Sequence, residues 1–131
     1  MRKIKTFEFR GYKKCSLSVR HYNKEKAIAI AVINMETDEE IETLTVLDVY
    51  ADYEVGVATV IGDFIDGDEV TGYKTATDIL KELGIVKEVV ETYSIYEKGC
   101  GDETRVDVCD INLDRLEEYA REWKYWGFEE K

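Results

Sequence analysis

The sequence predicts an α+β fold, with a mostly antiparallel sheet of six or seven strands and two helices on one face. Three observations support this prediction. Apolar residues recur with the two-residue period of a strand along most of the chain, two segments show the 3.6-residue period of a helix, and the connections between the strands are short. At 131 residues and 44% hydrophobic content, residues 1–131 are expected to form a single domain.

The first half of the chain is predicted to form five consecutive strands. Lys3–Phe9 favours a strand by composition, and Cys15–Arg20 alternates apolar and polar residues. Ala27–Ile33 is apolar at every position, so we expect a central strand that is covered on both faces. Ile41–Tyr50 and Val55–Ile61 are further β-rich runs, and short connections favour a meander.

The second half begins with an irregular stretch, Gly62–Gly72, and then a helix. The apolar face of this helix has the helical spacing i, i+3, i+4, i+7, and Thr75 and Gly84 suit its two ends. That face consists of Ala76, Ile79, Leu80 and Leu83. Two strands follow, Ile85–Tyr96 and Thr104–Ile111.

A second helix is predicted to close the chain. Asn112 suits its N-cap, and Gly127 suits its end. Its apolar face would comprise Leu113, Leu116, Ala120 and Trp123.

Charge is distributed unevenly along the chain, whose net charge is −11. Residues 1–26 carry nine basic and two acidic side chains, a net charge of +7. Residues 27–131 carry nine basic and 27 acidic side chains, a net charge of −18. Such a body repels nucleic acid and anionic membranes and attracts basic partners, although solubility alone also explains the acidity. No apolar run approaches the length of a membrane span, so we expect a cytoplasmic protein.

Motifs for nucleotide binding, serine hydrolysis and zinc binding are missing from the sequence. Cys15 and Cys109 occupy apolar positions of predicted strands and are expected to be reduced core thiols. Cys100 lies in a predicted exposed turn, and His21 is expected at the surface. A cysteine nucleophile would need that histidine beside it, which nothing in the sequence indicates. We therefore expect no catalytic residues.

The acidic run Asp63–Glu69 is the strongest candidate for a metal site. An EF-hand loop that started at Asp63 would place Ile65, Asp68 and Lys74 where an oxygen ligand, a glycine and a glutamate are required. The pattern fails, so we expect turn residues in water, with no metal and no cofactor.

Three groups of carboxylates are predicted to form an acidic binding surface. Repeated surface carboxylates can imitate a phosphate backbone and occupy the basic groove of a nuclease. The alternative is ordinary: acidic residues suit solvated turns and the first turns of helices. The predicted acidic positions are Glu36, Asp38, Glu39 and Glu40 in a turn, Asp63, Asp66, Asp68 and Glu69 in the irregular stretch, and Asp114, Glu117 and Glu118 on the last helix.

A basic hairpin near the N-terminus is a second candidate site. Its cations alternate with Tyr12 and Tyr22, a combination that suits single-stranded nucleic acid. The alternative is a sheet edge whose lysines prevent aggregation. The cations are Arg10, Lys13, Lys14, Arg20 and Lys24.

The C-terminal aromatic residues Tyr125, Trp126 and Phe128 exceed what the last helix needs for its apolar face. Exposed, they would form an aromatic anchor for a protein partner. The alternative is that they fold back and close one end of the sheet.

The stretch Phe7–Leu17, with Ile30–Asn34, Leu44–Asp48 and the closing segment Ile111–Leu116, resembles a family of small uncharacterised acidic proteins encoded on bacterial plasmids and conjugative elements. Small acidic proteins of mobile elements are often anti-restriction or anti-CRISPR factors, so the resemblance implies an anti-defence role by analogy.

Charge and resemblance together predict a non-catalytic protein that binds and inhibits a host nuclease, either an RNA-guided CRISPR nuclease or a restriction enzyme. The expected partner is this basic protein or its complex with guide RNA, with no membrane contact. The alternative is a plasmid or conjugation accessory module that contacts single-stranded nucleic acid through the basic hairpin. An enzyme that uses carboxylates and a metal at Asp63–Glu69 is a third, weaker hypothesis. An open edge beside the Ala27–Ile33 strand would allow a homodimer.

Overall fold

The structure is a computed structural model that describes residues 4–21, 28–46, 56–62, 64–70, 72–96 and 103–124. In chain order, the elements are β1 (Phe7–Phe9), β2 (Tyr12–His21), β3 (Ile28–Asn34), β4 (Glu39–Thr43), β5 (Thr45–Val46), β6 (Val57–Ile61), β7 (Phe64–Asp68), β8 (Gly72–Thr75), α1 (Ala76–Glu82), β9 (Val86–Tyr96), β10 (Glu103–Ile111), α2 (Leu113–Tyr119) and β11 (Ala120–Lys124).

The described strands form several small sheets. One has five strands, in the order β1-β2-β3-β4 with β11 also paired to β2; another has four, in the order β5-β6-β10-β9; β7 and β8 form a separate hairpin. Every strand pair is antiparallel except β2 with β11. The α+β class and the antiparallel character are confirmed, whereas the prediction of one six- to seven-stranded sheet is wrong.

Leu44 is the point at which the chain leaves the first sheet for the second. Its N–H donates to the Ile30 carbonyl oxygen of β3 at 2.8 Å, and its own carbonyl accepts from the Ile61 N–H of β6 at 2.9 Å. Its side chain is fully buried. The predicted strand Ile41–Tyr50 is therefore split into β4 and β5, because one buried residue satisfies its backbone groups on two different sheets.

Among the described residues, one hydrophobic cluster joins the two larger sheets and both helices. On β2, Cys15, Leu17 and Val19 are buried at alternate positions, as the two-residue period predicts. On β3, Ile30 packs in the core, while Ala31 on the opposite face is also buried. The expectation that this strand is covered on both faces is confirmed.

The first helix is confirmed together with its ends. The Thr75 hydroxyl oxygen accepts from the Asp78 N–H, and an Asp78 carboxylate oxygen accepts from the Thr75 N–H, both at 3.0 Å. These reciprocal bonds form a capping box. Gly84 follows the helix at φ +79°, a left-handed conformation that glycine adopts without steric cost.

The second helix is capped as predicted but is much shorter. The Asn112 side chain accepts from the Arg115 N–H at 3.1 Å, and the helix ends at Tyr119. Ala120–Lys124 is instead β11, which runs parallel to β2 and places Ala120 opposite Leu17. β1 pairs with β2 only between Tyr12 and Cys15, so it leaves the backbone groups along the rest of that β2 edge without a partner. β11 pairs with this part of β2 and satisfies those groups.

The predicted irregular stretch Gly62–Gly72 is also corrected, because Phe64–Asp68 and Gly72–Thr75 pair as a hairpin. No helix in the described residues is long and apolar enough to cross a membrane.

Candidate functional site

Arg10 links the predicted basic hairpin to two other strands. It lies in the turn between β1 and β2 at φ +51°. Its Nε donates to the Ile65 carbonyl oxygen of β7 at 2.7 Å, and its Nη2 donates to the Glu42 carboxylate of β4 at 2.8 Å. The Arg10 backbone N–H donates to the Asp66 carboxylate at 3.3 Å. This guanidinium is therefore committed to contacts within the protein.

Two further cations of the predicted basic hairpin also face carboxylates. Arg20 Nη2 lies 3.7 Å from a Glu40 oxygen, and Lys13 Nζ lies 3.9 Å from a Glu8 oxygen. Lys14 is exposed and makes no ion pair with another described residue. Lys24 lies outside the described residues. The described part of this hairpin therefore does not present a continuous basic face.

The acidic turn between β3 and β4 is partly neutralised. Asp38 pairs with Arg121 of β11 at 2.8 Å. The Glu39 carboxylate accepts from the Thr37 hydroxyl, and the Glu39 N–H donates to that hydroxyl oxygen, both at 3.4 Å. Glu36 is exposed and has no ion-pair partner among the described residues. The turn thus keeps carboxylates that point to solvent.

Charges from three segments act on the buried Cys15 thiol. Its pKa is raised mainly by burial, with smaller contributions from the carboxylates of Asp66, Glu36 and Glu8. The acidic turn and the β7–β8 hairpin are therefore close enough to β2 to act on one group. Asp63 and the side chain of Asp68 lie outside the described part of the structure, while Glu69 is exposed.

The acidic residues of α2 have a different set of neighbours. Glu118 lies 2.8 Å from both Lys5 Nζ and Arg115 Nη1. The hydrogen bond from Lys5, aided by the charges of Lys5 and Arg115, lowers the pKa of Glu118. Asp114 is exposed in the first turn, where it opposes the helix dipole, and Glu117 is half-buried.

An open cleft of about 860 Å³ lies between the β1–β2 turn and the β7–β8 hairpin. Its lining includes an exposed aromatic pair: the Phe64 and Tyr73 rings lie 5.7 Å apart at 47°, and these residues are 68% and 54% exposed. The cleft is lined by Glu8, Arg10, Gly11, Phe64, Ile65, Asp66, Gly67, Tyr73 and Lys74.

This aromatic pair is not predicted from the sequence, because the segment is expected to be an irregular acidic loop. The available signal was Phe64 and Tyr73 on either side of glycine-rich turn residues, a pattern that favours a hairpin. The predicted aromatic anchor, Tyr125, Trp126 and Phe128, lies outside the described residues and stays a prediction.

Metal-ligating side chains are not clustered in the part of the chain that the structure describes. No group of three or more histidine, cysteine, aspartate or glutamate side chains in the described segments is arranged to hold a metal ion. Cys15 and Cys109 are buried, as predicted, while Cys100 is not among the residues described.

Burial raises the pKa of the Cys109 thiol to about 12, and Asp107 adds to this effect. We expect Cys15 and Cys109 of the native protein to stay unmodified by Ellman's reagent at pH 8, and all three cysteines to react in guanidinium chloride. Because the unfolded state loses the Cys109 proton first as the pH rises, the free energy of unfolding should fall between pH 9 and about 12. If two of the three thiols reacted rapidly in the native protein at pH 8, Cys15 or Cys109 would have to be accessible, which would contradict their burial.

Comparison with protein families, with characterised proteins and with solved structures found no significant match to this chain. The resemblance to plasmid-encoded acidic proteins therefore stays a prediction.

Proposed function

We propose that this protein is a mobile-element anti-defence factor that binds a basic host nuclease and inhibits it without catalysis. A CRISPR RNA-guided nuclease is the preferred target, with a restriction enzyme as the other candidate, since both hold nucleic acid in strongly basic channels. The proposal requires an acidic surface that remains available after the protein's own cations have been paired.

The observation that carries the proposal is the pairing of the N-terminal cations with carboxylates. Arg10, Lys13 and Arg20 each have a carboxylate within 4 Å, so most of the cations in the described residues 4–21 are paired. Exposed carboxylates without an ion-pair partner in the described residues remain elsewhere. In the predicted acidic groups they include Glu36, Glu69 and Asp114.

One observation favours the alternative, in which an accessory module of a plasmid or conjugative element contacts single-stranded nucleic acid. Tyr12 is 45% exposed and shares β2 with the unpaired Lys14, so a base could stack there beside a cation. The paired state of Arg10 and Arg20 argues against a larger basic site.

The test is a cleavage assay with a guide-loaded Cas9-type nuclease and its target DNA, at about 50 mM and about 300 mM salt. We expect inhibition that weakens as salt rises, because long-range attraction between exposed charges is screened. Glu36→Gln/Glu69→Gln should slow association about fivefold, through loss of steering. Glu88→Gln/Glu91→Gln is the matched control, since it removes the same charge outside the predicted acidic groups, and it should change association less than about twofold.

Gel shifts of guide RNA and of single-stranded DNA, without the nuclease, distinguish direct nucleic-acid binding by the basic hairpin from binding to the nuclease. A shift that is lost in Lys13→Glu/Lys14→Glu would favour the basic hairpin. Absence of inhibition at both salt concentrations would remove this nuclease as the target, and a restriction enzyme would then be tested in the same format.

A further inference from the structure

Exposed large apolar side chains are concentrated on the β7–β8 hairpin. Phe64 and Tyr73 lie on its strands, and Val70, which is 92% exposed, lies between them in the chain. The other exposed large apolar residues in the described ranges are Tyr12 and Val90, on different strands. Aromatic residues clustered in water are typical of interaction surfaces, whereas single exposed residues are common on any protein.

The burial of the hairpin residues shows that the core does not use these rings. Ile65 packs against the core, whereas Phe64 and Tyr73 are 68% and 54% exposed. Their ring centroids lie 5.7 Å apart, so the two rings form one exposed pair. The aromatic pair is therefore surplus to the packing of this fold.

The hairpin is held in place before any partner binds. Arg10 donates to the Ile65 carbonyl, and Lys74 Nζ lies 3.0 Å from a Glu82 carboxylate oxygen of α1. At Gly67, φ is +94° and a Cβ atom would overlap the Gly72 carbonyl oxygen, so the two strands approach closely only because this residue is glycine. A pre-formed surface loses less conformational entropy on binding.

Charge selects the class of partner. The Asp66 carboxylate lines the cleft and accepts from the backbone N–H groups of Arg10 and Gly67. Glu69 follows β7 and is exposed. The cations of the cleft, Arg10 and Lys74, are paired with Glu42 and Glu82, and Glu8 is paired with Lys13. A nucleic acid would bring phosphates against these carboxylates, and a second copy would bring another chain of net charge −11. A basic protein segment meets neither repulsion.

We propose that the exposed Phe64 and Tyr73 side chains of the β7–β8 hairpin form a docking surface for a basic protein segment, which packs an apolar side chain against the two rings while flanking lysines or arginines face Asp66 and Glu69. This inference rests on the proposed function, because it names where the basic partner is contacted. The surface itself can be tested without any nuclease.

The experiment selects a phage-displayed library of random peptides on the folded wild-type protein, with Phe64→Ser used for counter-selection. We expect enrichment of peptides in which an apolar residue is flanked by lysine or arginine. Calorimetry should give about tenfold weaker binding, or more, for Phe64→Ser and Tyr73→Ser. Val90→Ser, which removes an exposed apolar side chain from β9, should bind as the wild type does; circular dichroism of all variants confirms folding.

Several results would overturn the inference: no enrichment over the counter-selection, enriched peptides without basic residues, or unchanged binding by Phe64→Ser. Phe64-dependent binding of a single-stranded DNA oligonucleotide, or Phe64-dependent self-association in sedimentation, would also overturn it. The cleavage assay separates the two proposals. Equal inhibition by wild type and Phe64→Ser would support nuclease inhibition but contradict docking at the β7–β8 hairpin. Phe64-dependent peptide binding without inhibition would support the docking surface but exclude that nuclease as the target.

Discussion

Replacing Ala120 by glutamate is expected to lower the free energy of unfolding by about 3–5 kcal/mol, which is enough to unfold much of the protein. Ala120 is fully buried in the core, where α2 gives way to β11, and it lies opposite Leu17 of β2. A carboxylate there would have to be desolvated among apolar side chains. The measurement is urea denaturation followed by circular dichroism, with comparison of the transition midpoints.

Arg121→Ala is the control for this substitution. Arg121 is next in the chain but lies at the surface, where it pairs with Asp38, and a surface ion pair contributes less than about 1 kcal/mol. If Ala120→Glu were no more destabilising than Arg121→Ala, Ala120 would not lie in the core and the placement of β11 would be wrong.

Replacing Asp107 by alanine is expected to cost about 2–3 kcal/mol of stability, the second of the two largest effects. Asp107 is a buried carboxylate on β10 that accepts from the Thr77 hydroxyl of α1 at 2.6 Å and from the Thr92 hydroxyl of β9 at 2.7 Å. Without it, the buried Thr77 hydroxyl loses its acceptor, while Thr92 can turn to water because it is exposed.

A double-mutant cycle separates the lost hydrogen bond from lost packing. Thr77→Val keeps the shape of the side chain and removes the hydroxyl, so Asp107→Ala should cost less in that background than in the wild type. Thermal unfolding of the four proteins gives the coupling energy. Equal costs in both backgrounds would show that Thr77 does not stabilise the native state through Asp107.

The local features of the fold could be predicted because short-range chemistry determines them. Thr75 and Asn112 are caps because a side-chain oxygen reaches an N–H three residues later, which depends on the neighbouring sequence alone. The alternation of Cys15, Leu17 and Val19 identified the buried face of β2 in the same way. The locations of the acidic groups and the basic hairpin along the chain were also visible at this level.

The errors occurred where pairing between distant segments decides the structure. Ala120 fits the helical spacing from Leu113 and Leu116, so periodicity favoured a longer helix, but the open edge of β2 offered hydrogen bonds that ended it. No local signal at Leu44 indicated that its N–H and carbonyl would bond to different sheets.

For the candidate site, the sequence determined how much charge the protein carries and where along the chain it lies. Only the tertiary structure decided which charges neutralise each other and which apolar side chains remain outside the core. Arg10 meets Glu42 and the Ile65 carbonyl, distant segments that folding brings together. Phe64 is exposed, whereas its neighbour Ile65 packs against the core. Electrostatic pairing and burial depend on distances in space, which the order of residues along the chain does not specify.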